Sequence, residues 1–91
     1  VDGMGGKSVF DSMWPLAGLL MQRPLVVSLA QIAAAIKLLA ERSKVVAEGA
    51  GAAPVAAALA GMPGAAKVVC VISGGNIDSA RLATVLRGEI P

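Results

Sequence analysis

KVVCVISGGNID, residues 67–78, decides how this chain is read. Lys67 to Ile72 is a run of β-branched and apolar residues, the pattern of a strand buried on both faces. Ser73-Gly74-Gly75-Asn76 is a turn set directly behind it. In open α/β sheets, ligands bind beyond the carboxyl ends of the strands. Two glycines at that end let a backbone come close to a neighbour. Ser73 puts a hydroxyl there, able to donate or accept. Asn76 is of a type that braces a loop by bonding its own backbone. On local grounds alone, an ordinary glycine-rich turn explains the segment better than a ligand site does.

Working outward, Asp78 is placed to cap a last helix over Ser79 to Arg87, closed by Gly88. On the other side lies Glu48-Gly49-Ala50-Gly51, followed by AAPVAAALAG, a short helix of small residues with Gly61 as its end and Pro63 behind it. Glu48 is a carboxylate in apolar, small-residue surroundings, which is costly unless it is paired or solvated. Ser28-Leu29-Ala30-Gln31 fits the S-x-x-Q capping box and predicts a helix from Leu29 to Ser43. Ile32, Ile36, Leu39 and Ala40 form its apolar face, and Gln31, Lys37, Glu41 and Arg42 lie largely opposite. A further helix is expected over Asp11 to Gln22, capped by Asp11 or Ser12, with Pro15 tolerated in its first turn. Leu25 to Val27 reads as a short extended piece. The whole is an α/β pattern, helix-rich with about two short strands, too few for an independent sheet.

The composition narrows the function. Of 91 residues, 56% are hydrophobic and 15% charged, against about 25% charged in an average domain. A chain of this length hides roughly 60–70% of its unfolded surface, so a large apolar surface is expected to meet another chain or the rest of a larger one. The net charge of +2 and the lone aromatics Phe10 and Trp14 argue against nucleic acid. With no histidine and one cysteine, Cys70, a Cys/His metal site, a Ser-His triad and an internal disulfide are excluded within these residues. The cysteine usage fits a reducing, cytoplasmic compartment. No leader is visible in the glycine-rich residues 1–8, and the uncharged stretch from Gly49 to Ala66 reads as a packed core helix rather than a membrane span. Gly5-Gly6-Lys7-Ser8 is only the tail of a P-loop, because Val1 stands where the first glycine belongs.

Together, ERSKVVAEGAGAA (residues 41–53) and KVVCVISGGNID resemble the C-terminal part of the catalytic domain of pyridoxal-phosphate (PLP) dependent threonine and serine dehydratases and serine racemases. The resemblance runs from about Trp14 to Arg87 and takes in Trp14-Pro15-Leu16. Val1-Asp2-Gly3 looks like the family's A-D-G loop, whereas residues 4–13 fit poorly. It implies the fold-type II architecture of the tryptophan synthase β family, with residues 1–91 a single incomplete C-terminal portion. It implies a cofactor-binding set of Glu48, Gly49, Ser73, Gly74 and Asn76. Ser73 takes the place of the serine that bonds the pyridine nitrogen, Gly74 lies near the ring edge, and Glu48 orients groups around it. A neutral hydroxyl at that nitrogen makes a milder electron sink than a carboxylate, which suits β-elimination from a small hydroxy amino acid.

Two family segments are absent from these residues, the Ser-Phe-Lys-x-Arg-Gly-like stretch with the cofactor-holding lysine and the Gly-Gly-Gly-Gly-Leu-like phosphate cradle. PLP is therefore expected only in a complete or complemented enzyme, with the chain inactive alone and partnered by a complementing chain or by copies of itself. The alternative is a non-catalytic oligomeric module derived from such an enzyme. A small-ligand or membrane-associated protein unrelated to PLP enzymes is the third reading.

Overall fold

The computed structural model describes residues 10–21, 24–61 and 67–91. Four α-helices follow one another: α1 (Trp14–Leu20), α2 (Leu29–Leu38), α3 (Gly49–Leu59) and α4 (Ser79–Leu86), with a π turn, Leu39–Ser43, continuing α2.

α2 starts where its capping box places it. The Gln31 N–H donates to Ser28 Oγ at 3.1 Å, and the Ser28 N–H donates to Gln31 Oε1 at 2.7 Å, so two end donors are satisfied reciprocally. The helical stretch reaches Ser43 as expected, but its last turn is π-helical and ends on Lys44 at φ 57°. Lys44 is a lysine in the left-handed region that glycine prefers. Its Nζ donates to the Glu41 carbonyl at 2.9 Å.

α3 begins earlier than the sequence suggested. Gly49-Ala50-Gly51 forms its first turn rather than a connecting loop. Pro54 sits inside the helix and removes one backbone donor there. The carbonyl of Pro54 accepts from the Cys70 thiol at 3.6 Å. Gly61, at φ 98°, follows the Ala60 cap, while Pro63 lies outside the described residues.

α4 is capped by Asp78, whose side chain accepts from the Ala80 N–H. At its end the Gly88 N–H donates to Val85 and the Glu89 N–H to Thr84, the paired bonds of a Schellman motif. Gly88 takes the left-handed conformation, φ 86°, that the motif requires.

α2 is the centre of the packing, with α3 on one side and α4 on another. The buried apolar side chains are Ile32, Ala35, Ile36, Ala47, Ala52, Ala56 and Val85. Alanines at the α2–α3 contact let the two backbones approach closely. α1 packs against no other helix among the described residues, and Trp14, Leu16, Leu19 and Leu20 are exposed. It is also shorter than expected, with Met13 rather than Asp11 or Ser12 at its cap and no side-chain cap bond. Pro15 is in its first turn, as predicted.

Both stretches expected as strands lack a ladder: among the described residues, neither Leu25–Val27 nor Lys67–Ile72 is in a strand. The reason is physical. A strand exists through the hydrogen bonds of a neighbour, and no second extended segment pairs with either. The regular structure of the described residues is therefore all helical, and the sheet half of the α/β expectation is not formed by them.

Candidate functional site

The two segments singled out in the sequence meet in space. Residues 74 and 75 lie against the entry to α3. The Glu48 N–H donates to the Gly74 carbonyl at 3.1 Å. Glu48 is the residue before α3, with extended backbone and no side-chain capping bond. Its half-buried side chain turns instead onto Gly74, where Oε1 lies 2.5 Å from the position a Cβ would take. Gly74 thus leaves room for a carboxylate of this chain.

Gly49 is buried at the first helical position. It also lines a cleft of about 240 Å³ between α2 and α4, together with Ile32, Ile77, Arg81 and Val85. Ser73 is exposed and makes no hydrogen bond to any described residue. Asn76 is exposed as well, and its side chain does not brace the turn. The Ile77 N–H donates to the Gly75 carbonyl at 2.9 Å, a three-residue γ-turn across Asn76 made wholly by backbone. Here the sequence expectation is corrected: two adjoining main-chain groups close the turn without side-chain help.

The sequence places Gly51 in the candidate segment but leaves it out of the cofactor-binding set. A Cβ on it would collide with the Gly74 carbonyl oxygen and lie 3.2 Å from the Gly74 nitrogen. Its only sequence signal was a second glycine two residues after Gly49. Of the described lysines, Lys37 lies beside Gly88, Lys44 is bonded to Glu41, and Lys67 is exposed. No group of three or more His, Cys, Asp or Glu side chains that could hold a metal occurs among the described residues. No helix there is long and apolar enough to cross a membrane.

Two curated proteins match this chain. It is 39% identical over 89 residues to an L-threonine ammonia-lyase of Geobacter sulfurreducens, covering 93% of this chain and 22% of that protein. It is 45% identical over 78 residues to an L-threonine ammonia-lyase of Thermotoga maritima, covering 85% of this chain and 20% of that one. No family model and no solved structure matches. The chain is thus of the dehydratase class that its two docked segments resemble. Within that class it belongs with the L-threonine ammonia-lyases, and it spans about a fifth of the length of the curated relatives it matches.

Proposed function

We propose that this chain supplies the pyridine-ring side of a PLP site in an ammonia-lyase acting on a small hydroxy amino acid, L-threonine or L-serine. The observation that carries the reading is the docking of residues 46–51 on residues 74–75, with the Glu48 side chain against Gly74 and the adjoining Ser73 left exposed. The donor chemistry fits the cofactor: Ser73 is neutral, accessible and bonded to no described residue, so it is free to meet a ring nitrogen. When bound, PLP supplies the electron sink for carbanion chemistry. Ser73 would hold the ring nitrogen through a neutral hydrogen bond. Glu48 would orient groups at the ring edge, with Gly49, Gly74 and Asn76 forming the backbone around it.

The lysine and the phosphate cradle, which do not occur in these 91 residues, would come from the rest of a longer chain or from a complementing polypeptide. The fold-type II sheet would form in the same assembly. Its seam is Lys67–Ile72, where Cys70 and Ile72 face inward while Val69 and Val71 are 91% and 68% exposed. That two-residue alternation is a strand's. The reducing compartment suggested by the single free Cys70 is the cytoplasm.

The test mixes this chain with the Geobacter sulfurreducens relative lacking its matching 89 residues. Ammonia release from L-threonine is expected from the mixture and from neither part alone. Ammonia release by this chain alone, borohydride trapping of PLP on one of its lysines, or a mixture of folded parts that stays inactive would overturn the proposal. A second reading, a non-catalytic oligomeric module, is favoured by the exposed apolar side chains of α1 and of Val26, 96% exposed. A discrete oligomer in sedimentation, unchanged by the complementing part, would support it.

A further inference from the structure

We infer that Gly51 and Gly75 are positioning residues, whose bare α-carbons clamp the Ser73 turn onto the entry of α3 and so set where the Ser73 hydroxyl stands relative to Glu48. The inference rests on the proposed role of Ser73 and names residues outside the cofactor-binding set.

The clamp has three points. A Cβ on Gly51 would fall on the Gly74 carbonyl oxygen, and a Cβ on Gly75 would fall on the Val46 carbonyl oxygen. Each segment thus receives a carbonyl of the other where a side chain would have been. The third point is the Glu48 N–H donating to the Gly74 carbonyl at 3.1 Å. The same oxygen is therefore held from two sides, by a hydrogen bond and by the bare face of Gly51.

Glycine is needed here for space and not for backbone conformation. The described glycines with positive φ are Gly61 and Gly88, so alanine is conformationally acceptable at positions 51, 74 and 75. The obstacles differ in kind. At Gly74 the neighbour is the end of the Glu48 side chain, which can swing away. At Gly51 and Gly75 the neighbours are backbone carbonyls within the two segments themselves. An alanine there is accommodated only if the segments part. Ser73 precedes Gly74 directly and has no hydrogen bond to any described residue, so nothing else among them holds it when the turn moves.

The experiment has two arms. In the first, amide hydrogen exchange and NMR shifts are measured on this chain and on Gly51→Ala, Gly75→Ala and Gly74→Ala, with Gly18→Ala as a control because nothing lies within 4 Å of its Cβ position. The Glu48 amide is expected to be protected in the parent chain. Gly51→Ala and Gly75→Ala should each lose about tenfold or more of that protection and shift the Ser73 amide, while Gly74→Ala and Gly18→Ala retain it. Gly75 is exposed, so its variant reports even where an alanine at buried Gly51 unfolds the chain. Unchanged Glu48 protection in Gly75→Ala overturns the clamp.

The second arm is a double-mutant cycle in the complemented enzyme. Gly75→Ala should lower kcat about tenfold on its own and less than about twofold in a Ser73→Ala background. Equal losses in both backgrounds would mean that Gly75 acts structurally and not through Ser73, which overturns the positioning role. An inactive mixture counts against the proposed function, and the first arm then still decides the clamp.

Discussion

Replacing Ser73 with alanine separates a cofactor-facing hydroxyl from a structural one. In the chain alone Ser73 is exposed and bonds no described residue. Ser73→Ala should therefore change folding stability by no more than about 0.5 kcal/mol, the range of ordinary surface substitutions. Under the proposed function, the same change in the complemented enzyme would leave a ring nitrogen without its hydrogen-bond partner. An orphaned buried acceptor costs about 1–3 kcal/mol. At about 1.4 kcal/mol per factor of ten, that is roughly a 5- to 150-fold loss. Urea unfolding of the chain measures the first quantity, and ammonia release from L-threonine by the complemented enzyme measures the second. Ser73→Thr keeps the hydroxyl and should restore most of the activity. Two results refute the reasoning: destabilisation of the chain by more than about 1 kcal/mol, since a surface hydroxyl without partners cannot supply it, or full activity in Ser73→Ala.

The remaining predictions concern the frame around the site. Ser28→Ala removes the capping box of α2 and should cost about 1 kcal/mol in urea unfolding. Gly88→Ala forces a side chain into φ 86° at the end of α4 and should cost about 1–2 kcal/mol, read as a lowered Tm in circular dichroism. Val69→Lys places a charge on the most exposed side of Lys67–Ile72. It should reduce self-association of the isolated chain in sedimentation and block reconstitution with the complementing polypeptide, because a charged edge resists strand pairing.

Legibility in the sequence followed the range of the interactions. The capping box at Ser28, the Asp78 cap and the Gly88 stop are made by residues a few positions apart, and each was readable. The π turn at Leu39–Ser43 was not. Its length matched the helical pattern, but the change of hydrogen-bond register and the left-handed Lys44 leave no mark in residue type. Lys67–Ile72 has the residues of a strand, yet a strand also needs a neighbour, and the described residues provide none. Of the site, both segments were singled out on their own residues, and their joint role came through family resemblance. Nothing local to either says that they touch, because the Glu48–Gly74 hydrogen bond joins residues far apart in the chain.

The clamp changes what the two segments mean. Taken separately, E-G-A-G and S-G-G-N invite the idea that glycines keep clear of a ligand. In the structure the bare faces of Gly51 and Gly75 are taken up by carbonyls of this same chain, and that of Gly74 by the Glu48 carboxylate. The glycines serve the fit between the segments, and under the proposed function they would serve the cofactor only through it. Main-chain contacts need no distant side chains to hold them, so the two segments can meet within a piece one fifth the length of its relatives. What such a piece cannot carry is closure. Ser73 faces outward, Val69 and Val71 are bare, and α1 rests on no other helix among the described residues. Under the proposed function, the contact between residues 46–51 and residues 74–75 is already made within these residues, and the rest of the enzyme would add the lysine and the phosphate cradle.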